Sequence, residues 1–439
     1  MRGLIYRFFF SRNARNEKFS QLLLPPETTP VELVFEIIAI IAPEDDDHNP
    51  PEYIQYVPAS EREAISTLAA ASLVSRAWNA ICRRYMFGRV CVSTKNPSAR
   101  LSFVHFEAPH LSEYIRKLHL WWNKDSCTAA EWFPECFCRL RNLRQLDISG
   151  VSGGNLNLST APAPLATGIV TMLACPCLRK LVLCEFMFAK DASDLLSILP
   201  ATLEELSLVD IKTIDDNDAP MKKPSTLRLE ALRTLELTDI CHPMLRFNDF
   251  IECPKLKCFI AGWTRDEVWE MPPWVPLSFS ELKLDAELGG NIPVLDPSIQ
   301  PAVVTITLGG SNPYLSLFNW VKDCLNCFHS PNLIRVLTIN VINDRELATL
   351  SDAMELYPHE SEYEVLSQFL EPFCSDGCLK TITLKILKEL NSTDVDLPAD
   401  RARELAKLKN GFAALFRLNV LDVYFEGCGD GTTIRLKLP

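Results

Sequence analysis

A single hydrophobic pattern, Leu-x-x-Leu-x-Leu, recurs along the chain from residue 115 to residue 423. Isoleucine, valine or phenylalanine replaces leucine in several copies, and successive copies begin 23 to 45 residues apart. The last two apolar positions of each copy have the spacing of side chains on one face of a β-strand. Such a unit buries its apolar side only against its neighbours, so the pattern predicts a stacked array of strands. The clearest copies are Ile115/Leu118/Leu120, Leu143/Leu146/Ile148, Leu178/Leu181/Leu183, Leu203/Leu206/Leu208 and Leu232/Leu235/Leu237.

Six further copies follow as far as residue 423, and helix-like segments lie between some of the strands. These segments are 191–199, 314–328, 360–373 and 400–416. The alternation of strand and helix resembles that of leucine-rich repeats. The resemblance implies a solenoid with a parallel β-sheet along its concave side. Where such repeats commonly carry asparagine or cysteine, this chain has Val151, Phe186, Ile211 and Ile240, so we expect apolar contacts there instead of an asparagine ladder.

The region before the repeats has a helical pattern. Thr29 and Glu32 form a capping box around Pro30, which suits the first position of a helix. The helix that follows is apolar on most sides, which indicates that a partner covers part of it. After a polar stretch, Ser60 and Glu63 form a second capping box, and a helix is predicted to about residue 85, with a turn or kink near 72–75.

Two segments of this region resemble the two halves of the F-box. Residues 30–38 read Pro-Val-Glu-Leu-Val-Phe-Glu-Ile-Ile, and residues 73–78 read Leu-Val-Ser-Arg-Ala-Trp. The chain departs from the F-box in having Thr29 and Val34 in place of leucines, and in the long insertion between the halves. The resemblance implies a three-helix module that binds a Skp-family adaptor and, through it, a cullin–RING ubiquitin ligase of the SCF type. The residues that would bind the adaptor are Pro30, Leu33, Val34, Ile37, Ile38, Leu73 and Val74.

These patterns predict an α-helical module followed by an α/β solenoid. The predicted organisation is an N-terminal tail at 1–24, the F-box module at 25–88 with its loop insertion at 43–60, and the repeats at 89–439. Alternate strand residues would point away from the core and contact a target protein. The residues selected for that role are Lys117, His119, Trp121, Asp147, Glu205, Glu236, Lys283, Lys385 and Tyr424.

Charge and composition restrict the partners. A formal net charge of −12 and a mixed, slightly acidic set of outward strand residues favour a protein target over nucleic acid. The most apolar stretch, 31–42, is shorter than the roughly 20 residues of a membrane span and carries two glutamates. Sixteen scattered cysteines without zinc-site spacing indicate buried thiols in a reducing compartment, so we expect no metal or cofactor and a cytoplasmic or nuclear location.

One motif suggests catalysis. Residues 150–154 read Gly-Val-Ser-Gly-Gly, which matches the nucleophile elbow of hydrolases, but no helical pattern follows Ser152 as that motif requires. We therefore expect no catalytic residue. The sequence favours a non-enzymatic substrate-recognition subunit of an SCF-type ligase. The alternative is an F-box-like repeat scaffold that acts outside a ubiquitin ligase.

Overall fold

The computed structural model places the described residues in two compact units. Unit 1 holds the described residues up to Ile148 together with Pro162–Leu178; unit 2 holds those of Ser149–Ala161 and those from Arg179 onward. The described residues are 59–93, 99–122, 131–150, 156–158, 160–188, 197–213, 227–239, 251–263, 271, 275–276, 278–287, 293–296, 298–309, 317–328, 333–343, 360–389, 406–407, 409–428 and 433–436.

Unit 1 begins with a pair of helices. Helix α1 spans Ala59–Ser72 and α2 spans Arg76–Met86, which confirms the turn expected near 72–75. Ser75 caps α2, because its side chain accepts a hydrogen bond from the Trp78 amide at 3.3 Å. The two helices share a small apolar core, formed by Leu68, Ala71, Trp78, Ile81 and Cys82.

Three hydrogen-bonded neighbouring strands follow in unit 1, in the order β1-β2-β3. The strands are β1 (Arg89–Ser93), β2 (Lys117–Trp122) and β3 (Gln145–Gly150); the accompanying helices are α3 (Ala99–Phe106), a 3-10 helix (Pro109–Tyr114), α4 (Phe133–Cys138) and α5 (Ala163–Leu173). The Leu-x-x-Leu-x-Leu pattern predicts β2 and β3 but misses β1, whose inward residues are Val90 and Val92. These valines pair in register with Leu118 and Leu120.

Unit 2 contains neighbouring strands in the order β5-β7-β10-β12-β13-β14-β15-β16-β17-β18. Each pair of neighbours from β5 to β17 is parallel, and β18 pairs antiparallel with β17. The strands are β5 (Lys180–Cys184), β7 (Glu205–Val209), β10 (Thr234–Thr238), β12 (Cys258–Trp263), β13 (Glu281–Glu287), β14 (Val303–Gly309), β15 (Val336–Asn343), β16 (Thr381–Glu389), β17 (Leu421–Cys428) and β18 (Thr433–Leu436).

Two short ladders accompany these strands. One has the order β4-β6-β8 and the other β11-β9. The strands are β4 (Leu156–Asn157), β6 (Phe186–Phe188), β8 (Lys212–Thr213), β9 (Leu227–Arg228) and β11 (Ile251–Glu252). Phe186, the first residue of β6, and Ile211, which precedes β8, are buried. Their burial confirms the apolar contacts predicted at two of the four positions without asparagine. Val151 and Ile240 lie outside the described residues.

Apolar pairs from successive strands stack in register to form the core of unit 2. Leu206 and Leu208 of β7 lie between Leu181 and Leu183 of β5 and Leu235 and Leu237 of β10. All six are at most 2% exposed. At about 25 cal/mol per Å² of buried apolar surface, each such leucine contributes about 1.5–3 kcal/mol relative to the exposed side chain.

In unit 2, three strands are each followed directly by an acidic residue with a left-handed backbone conformation. Glu185, Asp210 and Asp239 follow β5, β7 and β10 with φ of 53°, 47° and 49°. The amides of these residues donate to the carbonyl oxygens of Val209, Thr238 and Gly262 on the next strand, at 2.9 to 3.0 Å. Phe186 and Ile211, each one residue further along, are buried. The strained residue therefore turns the chain so that the following apolar side chain returns to the core.

The described part of unit 2 includes the helices α6 (Leu317–Asn326), α7 (Glu360–Ser375) and α8 (Ala413–Arg417). They fall in three of the four predicted helical segments. Within the predicted 400–416, residues 406–407 and 409–411 are helical as well, while 400–405 and 408 lie outside the described residues. Of the fourth segment, 191–199, residues 191–196 lie outside the described residues. Aromatic contacts hold these helices to the rest of the unit. Trp320 of α6 stacks on Trp263 at a centroid distance of 5.8 Å, and Tyr363 of α7 meets Phe412 at 5.3 Å.

The substitution Gly262→Ala is expected to lower the free energy of unfolding by about 1–3 kcal/mol, because there is no room for the added methyl group. Gly262 pairs with Thr238 of β10, and a Cβ at Gly262 would lie 2.6 Å from Cγ2 and 2.7 Å from Oγ1 of that threonine. Urea denaturation of the full chain measures the loss. Thr238→Ala removes both atoms, so the double variant should recover most of the loss; simple addition of the two single effects would contradict this account.

Candidate interaction surfaces

The first candidate surface lies at the turn between α1 and α2. Leu73 is 73% exposed, whereas its neighbour Val74 is partly buried against the apolar core of the two helices. Amides of both residues donate to carbonyl oxygens of the last turn of α1, at 3.2 and 3.0 Å, which fixes the turn. The structure thus separates the two residues that the sequence groups together: Leu73 faces solvent and Val74 supports the fold.

The remaining residues predicted to bind the adaptor lie outside the described residues. They are Pro30, Leu33, Val34, Ile37 and Ile38. The tail at 1–24 and most of the 43–60 insertion lie outside as well. The bounds of the predicted F-box module and the roles of these residues stay predictions.

The second candidate surface is the outward face of the unit 2 sheet, which we call the polar face. It is formed by the strand residues that alternate with the buried apolar pairs. In register across β7, β10, β12, β13, β14, β15, β16 and β17, its middle row reads Ser207, Glu236, Ile260, Lys283, Thr305, Thr338, Thr383 and Asp422. The next row toward the strand ends reads Val209, Thr238, Gly262, Asp285, Thr307, Asn340, Lys385 and Tyr424.

Charged groups on the polar face pair with neighbours on the same face. The Ser207 hydroxyl donates to Glu236 Oε2 at 2.6 Å. Lys180 lies 3.2 Å from Glu205, and Lys283 lies 3.6 Å from Glu281. Glu205 is exposed, while Glu236 and Lys283 are half-buried. The predicted contact residues Glu205, Glu236 and Lys283 therefore lie on one surface, where pairing balances part of their charge.

On β14 and β15 the polar face carries hydroxyl and amide groups instead of charged ones, and charge returns with Lys385 on β16 and Asp422 on β17. Asn340 Nδ2 donates to Thr307 Oγ1 at 3.3 Å, and no donor from the described part of the chain reaches its buried Oδ1. Lys385 and Tyr424 are half-buried and pair across β16 and β17. These two predicted contact residues thus meet at the far end of the same face.

Asp285 lies on the polar face between Gly262 of β12 and Thr307 of β14. Burial raises the pKa of its carboxyl group above the ordinary value, and the charge of Glu236 adds to the rise. The Thr307 hydroxyl and the Lys283 ammonium oppose it. The sequence alone does not distinguish Asp285 from other outward carboxylates, because its burial depends on neighbours from adjacent strands.

Three residues predicted to face solvent in unit 1 are instead buried, and those predictions are corrected. His119 and Asp147 are each 7% exposed and Trp121 is 8% exposed. His119 Nδ1 lies 2.8 Å from Asp147 Oδ2, so each polar side chain has a partner in the fold. Trp121 has too little exposed surface to act as a contact anchor. Lys117, at the start of the same strand, is half-buried.

An exposed aromatic cluster in unit 1 was missed at the sequence level. Phe106 is 64% exposed and contacts Trp132 edge-on at a centroid distance of 5.6 Å, while His105 stacks on Trp132 at 5.0 Å. Phe103 and Phe106 lie three residues apart on α3, a spacing that places two phenylalanines on one helix face and could have indicated the cluster.

The described cysteines are thiols, and many are buried. Burial raises the pKa of Cys82 to about 11 and that of Cys136 to about 12, which keeps both protonated and unreactive at neutral pH.

Among the described residues, no group of three or more histidine, cysteine, aspartate or glutamate side chains could hold a metal ion. Ser152 lies outside the described residues. Among the described helices, none combines the length and the apolar character that crossing a bilayer requires.

No family model matches the chain, and no curated protein matches it. Twelve chains of solved structures match, among them the leucine-rich repeat-containing protein LegL7 from Legionella pneumophila. The two chains are 13% identical, and the alignment covers 79% of this chain and 92% of that chain with a TM-score of 0.38. So distant a likeness carries no argument, and the repeat architecture rests on the strand order and register described above.

Asp285→Asn is expected to stabilise the protein at neutral pH, because it removes a carboxylate whose ionisation burial disfavours. The folded-state pKa is raised. Below the unfolded-state pKa of about 4, the carboxyl group is protonated in both states and does not destabilise the fold. As pH rises through the raised folded-state pKa, the group becomes charged in the folded protein and lowers the free energy of unfolding. Urea midpoints should rise for the variant at about pH 7 and match wild type at about pH 3. A higher midpoint at both pH values would contradict the electrostatic cause.

Proposed function

We propose that this protein is a repeat-based protein-interaction subunit, and more specifically a substrate receptor of an SCF-type cullin–RING ubiquitin ligase. In this proposal, the helical region binds a Skp-family adaptor and the polar face binds a target protein. The observation that carries the adaptor assignment is the exposure of Leu73 in the sequence Leu-Val-Ser-Arg-Ala-Trp. Val74, Ser75 and Trp78 of that segment serve the fold, which leaves Leu73 as its exposed large apolar side chain for a partner.

The local structure supports that division of roles. Val74 and Trp78 pack into the core between the two helices, and Ser75 caps α2. Each has a structural reason to be present that needs no partner. The described residues give Leu73 no such role, because 73% of its surface meets solvent. Covering it in a complex would contribute about 1.5–3 kcal/mol, which is typical of a contact that matters at an interface.

The polar face suits a folded protein or peptide better than a nucleic acid. Its carboxylates on β7, β10 and β13 would repel phosphates, and its lysines on β5 and β13 already lie near glutamates. The hydroxyl and amide groups from β14 to β16 offer donors and acceptors to a peptide backbone. Binding there would order few flexible side chains, since threonine and asparagine lose little rotamer entropy.

The receptor itself would perform no chemistry. Holding the target close to a ubiquitin-charged carrier raises the effective concentration of the two reactants, and proximity of this kind can replace a catalytic group. The proposal therefore requires no cofactor and no metal. It also places the protein in the cytoplasm or nucleus, which is supported by thirteen described cysteines that are present as thiols.

Leu73→Asp is expected to weaken copurification with the adaptor at least about tenfold, because a buried charge replaces an apolar contact. The substitution should leave the free energy of unfolding within about 0.5 kcal/mol of wild type, since the side chain is exposed. Pull-down of coexpressed adaptor measures the first effect and urea denaturation the second.

Leu418→Asp is the matched control. Leu418 is 40% exposed and lies in unit 2, between α8 and β17, so the same change of leucine to aspartate should leave the adaptor bound. Equal adaptor recovery from the Leu73→Asp variant and from wild type would refute the assignment. Equal losses in the two variants would show a general effect of added charge instead.

The alternative function, a repeat scaffold outside a ligase, is favoured by the long insertion in the F-box-like region. Copurification of both adaptor and cullin with the full chain supports the ligase. Stable partners recovered without either would support the scaffold.

The face used for the target can be tested by site-specific photocrosslinking. A crosslinking amino acid at Thr383, on the polar face, is expected to capture the target, whereas the same group at Val365, which is 41% exposed on α7, should not. Crosslinks of equal yield from both positions would contradict use of the polar face.

A further inference from the structure

The three strands of unit 1 bring a cysteine, a histidine and an aspartate into one row. Cys91 of β1 pairs in register with His119 of β2. At the start of β2, the amides of Arg116 and Lys117 both donate to the Gly88 carbonyl oxygen. At the start of β3, on the other side of β2, the amides of Arg144 and Gln145 donate in the same way to the Arg116 carbonyl oxygen. This repetition aligns Asp147 with His119 as His119 is aligned with Cys91.

The histidine in this row is held by the aspartate. His119 Nδ1 lies 2.8 Å from Asp147 Oδ2, and both side chains are buried. Gln145 Nε2 donates to both carboxylate oxygens of Asp147, at 3.3 and 3.1 Å, which fixes the carboxylate. Bonding through Nδ1 places Nε2 on the side of the ring away from β3, and β1 with Cys91 lies on that side of β2. Cys91 itself is exposed.

The neighbouring row of the same face is basic. Arg89 precedes Cys91 by two residues and pairs with Lys117, which precedes His119 by two. No group from the described part of the chain forms a hydrogen bond with the buried Arg89 Nε. The charged and titratable groups on this face of β1 to β3, among the described side chains, are therefore Arg89, Lys117, Cys91, His119 and Asp147. Cys91 is thus an exposed thiol in register beside an imidazole, the kind of surroundings in which reactive cysteines are found.

We propose that Cys91 is a reactive thiol, activated by His119 and positioned through Asp147, and that peroxides oxidise it to a sulfenic acid. Its proton passes to His119, and the resulting imidazolium is stabilised by the Asp147 carboxylate. The thiolate sulfur attacks one peroxide oxygen, so that an S–O bond forms while the O–O bond breaks. Sulfur loses two electrons to the peroxide, and the departing hydroxide takes the proton from His119 and leaves as water.

Cys91 differs from the buried described thiols in its access to solvent, and from the exposed thiols Cys138 and Cys177 in its register beside a histidine. Cys82 and Cys136 are buried, and burial raises their pKa values. Cys138 and Cys177 are exposed, as Cys91 is, and so provide reference thiols within the same molecule. The proposal is independent of adaptor or target binding.

The test is alkylation of the native full chain by limiting iodoacetamide, with each cysteine followed by mass spectrometry. At about pH 6, Cys91 should react about tenfold faster than Cys138 and Cys177, because a larger thiolate fraction outweighs the lower nucleophilicity of a more acidic thiol. The pH at which its alkylation reaches half-maximal rate should also be lower than for the two reference thiols. Equal rates and equal pH profiles for the three thiols in wild type would overturn the proposal.

His119→Gln retains an amide that can donate to Asp147 but removes the base. The alkylation rate of Cys91 should therefore fall to within about twofold of the rates of the reference thiols. Asp147→Asn should lower its rate less, because the imidazole remains. Buried Cys82 and Cys136 report on folding in the same sample: they should stay unlabelled in every variant. A folded His119→Gln protein with an unchanged Cys91 rate would overturn the assignment. If that variant exposes the buried thiols, the wild-type pH profile decides.

The oxidation step is tested with hydrogen peroxide and dimedone, a reagent that traps sulfenic acids. Wild-type protein should carry the dimedone adduct at Cys91 before Cys138 or Cys177, and the Cys91→Ser variant should carry none at that position. Absence of the adduct at Cys91 in wild type, under conditions where the reference thiols are modified, would overturn the peroxide assignment.

Discussion

The registered stacking of apolar pairs between parallel strands is the interaction on which the rest of this structure depends. Backbone hydrogen bonds fix each strand against the next, and that register places Leu206 against Leu181 and Leu235 without an offset. A slip of one residue would turn every apolar pair outward and every polar residue inward. Because each repeat buries its leucines only against its neighbours, no repeat is stable alone, and register and burial stabilise one another.

The same constraint creates both candidate chemical surfaces on the sheets. Once leucines occupy the inward positions, the alternate residues must lie in rows on the other face. In unit 2 these rows form the polar face, where the charge of Glu236 helps to raise the pKa of Asp285 and Asn340 donates to Thr307 on the next strand. In unit 1 they place Cys91 beside His119. Residues distant in sequence become neighbours through the ladder alone, so a repeat array can assemble polar clusters from single residues of several strands.

Strand positions could largely be predicted from the sequence, and their surroundings could not. The leucine pattern located the strands from β2 to β17 in the main sheets, because the spacing of apolar residues reports directly on a half-buried strand. It missed β1, where Val90 and Val92 provide the buried pair without a leucine. It also assigned His119, Trp121 and Asp147 to solvent, since alternation states only which face a residue occupies. How deeply that face is covered depends on other parts of the chain.

Local spacing of apolar and capping groups was enough to predict the repeats, the turn between the first two described helices, and the alternation of core and outward residues. The folded structure was needed to show that Leu73 is exposed while Val74 is partly buried, that Glu185, Asp210 and Asp239 adopt left-handed conformations, and that Cys91, His119 and Asp147 form a row. Those properties arise from contacts between residues far apart in the chain, and local spacing carries no information about such contacts.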